Sequence, residues 1–229
     1  MARSGSIDGV STAPLPLATS SLTDALYTSL RARIVNGEIA QGEKLTENRI
    51  ATEYDVARPT AKACLERLIA LGLLRRSAHK TAVVPVLGLD DVRDLFFTRE
   101  LVEVSAVTGL ARRGSTPQRV RRTQDAMEIA SRSGDFQAQV AADADFHALI
   151  VRESGSERLA RMHELILGEV QMTMGLYSAH QSAPAHSVAD EHAAVIAAID
   201  LGDADLAARR LREHLDAARD RILDRMSHE

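Results

Sequence analysis

The sequence predicts a mainly α chain in two parts, a small N-terminal helical unit closed by a hairpin and a C-terminal all-α bundle of about six helices. Three observations carry that expectation. Apolar residues recur at three- and four-residue spacing through most of the chain after residue 21. Strand-like character is confined to a short stretch around residues 73–86. Ala and Leu dominate, while aromatic residues make up 3% and Trp is absent, a balance that favours helices over sheets. At 229 residues there is material for two modest cores.

Residues 1–21 are rich in Ser, Thr, Ala and Pro and lack the apolar run of a secretory signal, so a disordered arm is expected there. The first helix spans 22–36, where Leu22, Leu26, Leu30 and Ile34 repeat every fourth residue and Gly37 supplies the stop. Residues 37–44 carry two glycines and read as a loop. A short helix follows from Thr46, a good N-cap, with Leu45 and Ile50 placed for a hydrophobic staple. It ends near Tyr54-Asp55, and Val56 plugs the turn. The next helix opens with Pro59 at its first position, and Ala61, Cys64, Leu65 and Leu68 form its buried stripe. Its other face carries Arg58, Thr60, Lys62 and Arg67. Leu73–Arg76 and Ala82–Val86 then read as two strands joined across residues 77–81. Three helices and a basic hairpin make a winged helix-turn-helix. A helix with a buried stripe and a short, basic, hydroxyl-bearing N-terminus is what a major groove accepts.

Charge divides along the same line. Residues 1–87 hold 11 Lys+Arg against 8 Asp+Glu, and residues 88–229 hold 17 against 24. Only the front part is basic enough to face phosphates, and only mildly. One cysteine excludes an internal disulfide and fits a reducing cytosol. That residue, Cys64, lies on the apolar stripe and reads as a small hydrophobe rather than a redox switch. No run approaches the length of a membrane span.

Pro85, Gly88 and Asp90-Asp91 mark a linker at 87–89. Six helices follow at about 90–113, 117–133, 136–153, 156–178, 187–201 and 203–226. Their punctuation is Asp90, Thr116-Pro117, Gly134-Asp135, Gly155-Ser156, Ser187 and Gly202-Asp203. The expected domains are thus an arm at 1–21, the winged unit at 22–86 and the bundle at 90–229.

Four bundle side chains belong together. Asp143 and His147 are one helical turn apart, on the face that also holds Val140 and Ile150. His192 shares a stripe with Val188, Val195 and Ile199, and His214 sits among Leu211, Leu215 and Ala218. Unpaired, four inward polar groups would be costly, and one divalent cation satisfies them together. The alternative is that each histidine is a core residue bonded to a backbone carbonyl. Asp145 is the rival carboxylate, but it points elsewhere on its helix. Three imidazoles and one carboxylate suit zinc first, with nickel, cobalt, iron or manganese as alternatives, better than calcium or magnesium.

These stretches resemble the GntR family of bacterial transcription regulators, in its FadR-like branch with an all-helical FCD effector domain. The N-terminal resemblance runs through LYTSLRARIVNGEIAQGEKLTENRIATEYDVARPTAKACLERLIALGLL. The C-terminal one is carried by TRELVE at 98–103, DADFH at 143–147, EHAAVIAAIDLGD at 191–203 and LREHL around His214. The resemblance implies a cytoplasmic homodimer on a palindromic operator in double-stranded DNA, most often a repressor, released or re-set by a small organic acid. It places the family's metal ligands on Asp143, His147, His192 and His214. It also places an effector-binding arginine on Arg99, four residues before Glu103; the plainer alternative is an Arg99–Glu103 surface pair. DNA-binding roles fall on Arg58, Thr60, Lys62 and Arg49, with His79 and Lys80 on the wing. Some positions depart from the family pattern. Lys62 replaces an arginine that can read guanine bidentately, Asn48 stands where an arginine is frequent, and Thr81 replaces a wing glycine. A metal-dependent hydrolase using the same Asp/His set is the rival from another class, although no obvious base or nucleophile set stands beside the ligands and only Glu191 adjoins His192.

Overall fold

The computed structural model describes residues 22–77, 81–176 and 187–228. The expected arm at 1–21 and the wing residues His79 and Lys80 lie outside the described residues. The winged unit comprises α1 (Leu22–Val35), β1 (Lys44–Leu45), α2 (Glu47–Glu53), α3 (Arg58–Ala70), β2 (Arg75–Arg76) and β3 (Ala82–Val83). The bundle comprises α4 (Leu89–Ala111), α5 (Gln118–Ser133), α6 (Phe136–Glu153), α7 (Glu157–Leu176), α8 (Ser187–Asp200) and α9 (Ala204–His228).

The winged unit is built from the expected stripes. Leu26, Leu30 and Ile34 of α1 meet Ala61, Cys64, Leu65 and Leu68 of α3 in one core, which Leu45 and Ile50 join from α2 and its approach. The Thr46 hydroxyl accepts from the Arg49 backbone N–H at 3.2 Å, capping α2. Burial raises the Cys64 thiol to about 11, as expected of a thiol that packs rather than reacts.

Some expectations need correction. The stretch 37–44 is not all loop: Lys44–Leu45 pairs with Val83 and Ala82, giving an antiparallel three-stranded sheet in the order β1-β3-β2. Two residues are too short to show alternation. The other strands are shorter than 73–76 and 82–86, because Leu73 and Leu74 are still tied to the Leu68 carbonyl that closes α3. Pro85, with no N–H to donate, lies just beyond the end of the ladder. Helix α3 begins one residue earlier, so Pro59 is its second residue.

In the bundle two caps differ from expectation. Asp90 does not cap α4; Gly88 does, its N–H donating to Asp91 Oδ2 at 2.9 Å. Thr116 does not cap α5; Pro117 takes that place, and Thr116 is buried with its N–H on Asp200 Oδ1 at 2.9 Å. Asp135 and Asp203 cap α6 and α9 as their spacing suggests. The central core joins α4, α6, α8 and α9 through Val107, Phe146, Ile150, Val195, Ile199 and Leu211. That packing turns one polar face from each of these helices toward a common centre.

Candidate metal centre and nucleic-acid interface

Asp143, His147, His192 and His214 are all buried, and each offers a donor atom within 4.8 Å of the others. Asp145, the rival carboxylate, is exposed. The geometry follows from the stripes. Val140 and Ile150 bury the α6 face that carries Asp143 and His147, while Val195, Ile199, Leu211 and Leu215 do the same for His192 and His214. Phe146 stacks on the His192 ring at 3.9 Å between centroids, with 11° between planes, and so fixes its orientation. His192 Nε2 lies 3.3 Å from Asp143 Oδ1.

The other two imidazoles are each held from behind by a carboxylate. His147 Nδ1 is 2.6 Å from Glu103 Oε2, and His214 Nδ1 is 2.7 Å from Glu191 Oε2. A carboxylate partner keeps the proton on Nδ1 and leaves the Nε2 lone pair facing inward. The two Nε2 atoms face each other at 3.0 Å. Two lone pairs at that separation repel unless a proton or a cation lies between them. With His192 and Asp143 alongside, the donor set fits a divalent cation: borderline nitrogen ligands, one hard oxygen, and outer carboxylates that orient two of the rings.

Arg99 and Glu103 do form a pair, at 2.8 Å, but it is fully buried rather than on the surface. Neither Nη of Arg99 has a hydrogen-bond partner among the described residues, although the guanidinium lies 4.8 Å from the Phe96 ring centroid. Glu103 also receives His163 Nε2 from α7 at 3.2 Å. His163 and the inward roles of Glu103 and Glu191 were not anticipated from the sequence. The signal was there. His163 shares the stripe of Leu159, Ile166 and Val170, and Arg99 and Glu103 share one with Ala106 and Leu110.

Electrostatics favour neutral rings at His192 and His214 and charged carboxylates at Glu103 and Glu191. Burial, with His214 and His147 nearby, pushes His192 down to about 3 against the pull of Asp143, and burial also lowers His214. Burial works to raise Glu103, but Arg99 and His147 outweigh it and hold that carboxyl well below its ordinary range. Glu191 is likewise lowered, by His214 and Arg221 against the effect of its own burial. The linkage sign is the same for all four. The unfolded chain takes up protons that the folded one refuses, so stability is full above about pH 6.5 and falls as the medium is acidified. The histidines act from there downward, and the two carboxylates add to the loss below about pH 4.5. In chelator, denaturant titrations at pH 7.5 and 5.0 should differ by about 2 kcal/mol from His192 alone, a contribution that His192→Gln removes.

At the other end of the chain Arg58, Thr60 and Lys62 open α3, and Arg58 and Lys62 border a groove of about 230 Å³ that Glu47, Asn48, Glu66, Arg76 and Thr81 also line. The Arg58 side chain is 67% exposed, and its ion-pair contact is Glu47 at 3.9 Å. The pair Glu66–Arg76 ties the wing strand to α3. Arg49 is engaged within its own unit, by Glu43 at 2.7 Å and the Lys44 carbonyl at 3.1 Å. Arg67 turns away from the groove, with its guanidinium 3.9 Å over the Tyr27 ring and on Asp24 at 2.7 Å.

Residues 22–84 match bacterial regulatory proteins of the gntR family, and residues 94–217 match the FCD domain. The chain belongs to the GntR family. It is 27% identical over 214 residues to BphR of Paraburkholderia xenovorans (strain LB400), described as an uncharacterized HTH-type transcriptional regulator. That match covers 90% of this chain and 87% of the relative. A second relative, a probable D-xylose utilization operon transcriptional repressor of Paenarthrobacter nicotinovorans, is 26% identical over 190 residues, covering 80% and 81%. A solved structure described as a GntR transcriptional regulator, from Rhodococcus sp. RHA1, superposes with a TM-score of 0.76. Its sequence identity is 23%, over 90% of this chain and 99% of that one. This GntR protein is therefore a DNA-binding transcriptional regulator with repressors among its relatives. The hydrolase alternative finds no support, since its family and relatives are regulators and not enzymes. No described helix is long and apolar enough to cross a membrane.

Proposed function

We propose that this GntR protein is a cytoplasmic homodimeric repressor whose grip on a palindromic operator is set by a divalent cation, zinc first, and a small organic acid in the bundle. Residues 22–86 serve as the reading head, 87–89 as the linker and 90–229 as the sensing and dimerising unit. The observation that carries the sensing half is the pair of Nε2 atoms 3.0 Å apart, each ring fixed from behind by a carboxylate, with His192 and Asp143 completing the set. When bound, the cation would offer a Lewis-acid position for a ligand carboxylate. Arg99 supports that reading, because its two Nη groups are buried, positively charged and without partners among the described residues, as a second anchor for the same carboxylate requires. Phe97 and Leu101, each 60% exposed on α4, give the bundle an apolar face for a second copy.

Reading falls to Arg58, Thr60 and Lys62, with Arg49 supporting the head, and His79 and Lys80 approaching the backbone from the wing. A ligand shifts DNA affinity only by its differential affinity for the two head geometries. The test is direct. Protein stripped with chelator should take up one Zn²⁺ per chain, and its affinity for a duplex taken from upstream of its own gene should change with Zn²⁺ and an organic acid. A chain that refuses every divalent ion ends the sensing half, and one that ignores that duplex ends the reading half.

A further inference from the structure

The geometry points to α7 as the output lever of the sensing centre, with His163 as its input contact and Gly168 as the seat where it bears on the reading head. The inference rests on reading the buried cluster as a cation site. Helix α7 meets both ends of the molecule. Its N-terminal half delivers His163, only 2% exposed, onto Glu103, the carboxylate that also holds the ring of His147. Movement of His147 therefore reaches α7 through one shared carboxyl group. The C-terminal half docks on the head. A Cβ at Gly168 would stand 2.4 Å from the Leu71 carbonyl oxygen and 2.7 Å from Leu73 Cγ, so only glycine permits the observed approach. Reciprocally, a Cβ at Gly72 would stand 2.8 Å from the Leu165 carbonyl oxygen. Glu169 takes Arg75 at 2.9 Å, Gln171 takes Arg31 at 3.1 Å, and Met172 is fully buried in the head's own core. The contacts of Gly168 and Glu169 fall on the end of α3 and the start of β2, the two places that aim the recognition helix and the wing.

Beside this seam lies a cavity of about 370 Å³ lined by Tyr27, Arg67, Leu73, Arg152 and Leu167, so a tilt of α7 has room to be passed on. Rigid, close-packed elements with two arrangements carry such coupling, and the measurement that reports it is a change at the far end of the lever.

Hydrogen exchange of the full chain, with Zn²⁺ as the probe and chelator as the reference, supplies it. In the unmodified protein Zn²⁺ should alter exchange at Leu71–Leu74 by at least about threefold, beyond its effect on the ligand helices. In His163→Ala, whose four ligands are intact, Zn²⁺ should bind within about tenfold of normal while the response at Leu71–Leu74 is lost. Gly168→Ala should lose the same response and uncouple DNA affinity from Zn²⁺. Should that variant not fold, Glu169→Gln replaces it, with a weakened response expected. Zn²⁺ binding with no response at Leu71–Leu74, or a response untouched in His163→Ala, overturns the lever alone. No Zn²⁺ binding in the unmodified chain overturns the cation reading and the lever with it.

Discussion

Arg58→Ala should bind its operator and an unrelated duplex of equal length with nearly equal affinity, while folding as before. The side chain stands at the first residue of α3, two-thirds exposed, with a long contact to Glu47 among the described residues, so it contributes almost nothing to the fold. A guanidinium at that position can engage a guanine edge bidentately, which is worth about 1–3 kcal/mol of discrimination per site. In the proposed dimer it would be used twice, which amounts to about 2–6 kcal/mol in all. Lys62→Ala provides the contrast. An ammonium on phosphate should weaken both duplexes alike and reduce the salt slope by about one per copy. Titrations at several salt concentrations separate the two outcomes. Selective binding that survives Arg58→Ala would move base reading to other residues.

How far the fold could be read from the residues depended on how many residues each element contains. The helices announce themselves because Leu26, Leu30 and Ile34, or Ala61, Cys64, Leu65 and Leu68, repeat often enough to define a face. Strand β1 has two residues and no period, so its pairing with β3 exists only in the fold. The caps depart from the sequence pattern for a local reason. Gly88 has no side chain to advertise the role, and the side chain that closes the box belongs to Asp91, three residues later. Thr116 has the chemistry of a cap but is bonded to Asp200, 84 residues away, a partner that no local pattern names.

The candidate centre divides in the same way. Polar residues on apolar stripes, together with the family resemblance, singled out Asp143, His147, His192 and His214, and the fold brings all four together. What orients them was harder to see, because Glu103, although on the stripe of Ala106 and Leu110, reads as half of an ion pair with Arg99, and Glu191 reads only as the neighbour of His192 until other helices cover them. Their partners come from α6, α7 and α9, so the arrangement is a product of bundle packing, as is the burial of Arg99. A buried Arg–Glu pair is weak support for stability, since desolvating both ions offsets their attraction. Neither Nη of that guanidinium has a partner among the described residues, and the carboxylate anchor proposed above would supply one.

His192→Ala should abolish Zn²⁺ uptake at the proposed centre while leaving DNA binding in place. The ring is one of the four converging donors, so its loss should cost more than the roughly 10–100-fold typical of outer positions. Glu191→Gln is the matched outer change. It keeps every donor but replaces the charged acceptor behind His214, and its cost should fall inside that range. Thermal unfolding tells the two apart. At a free Zn²⁺ concentration about 100 times its dissociation constant, the unmodified chain gains about 2.7 kcal/mol. Glu191→Gln should lose about 1.3–2.3 kcal/mol of that gain, and His192→Ala essentially all of it. Without metal, two effects of His192→Ala oppose each other. It opens space beside Phe146, which destabilises, and it removes an imidazole whose burial is itself costly, so the apo form should change less than a Leu→Ala substitution in the same core. DNA binding should persist because the head has its own core around Leu30, Ile50 and Leu68, distinct from the one around Phe146. Metal content by elemental analysis decides the matter. A full complement of zinc in His192→Ala would remove His192 from the centre.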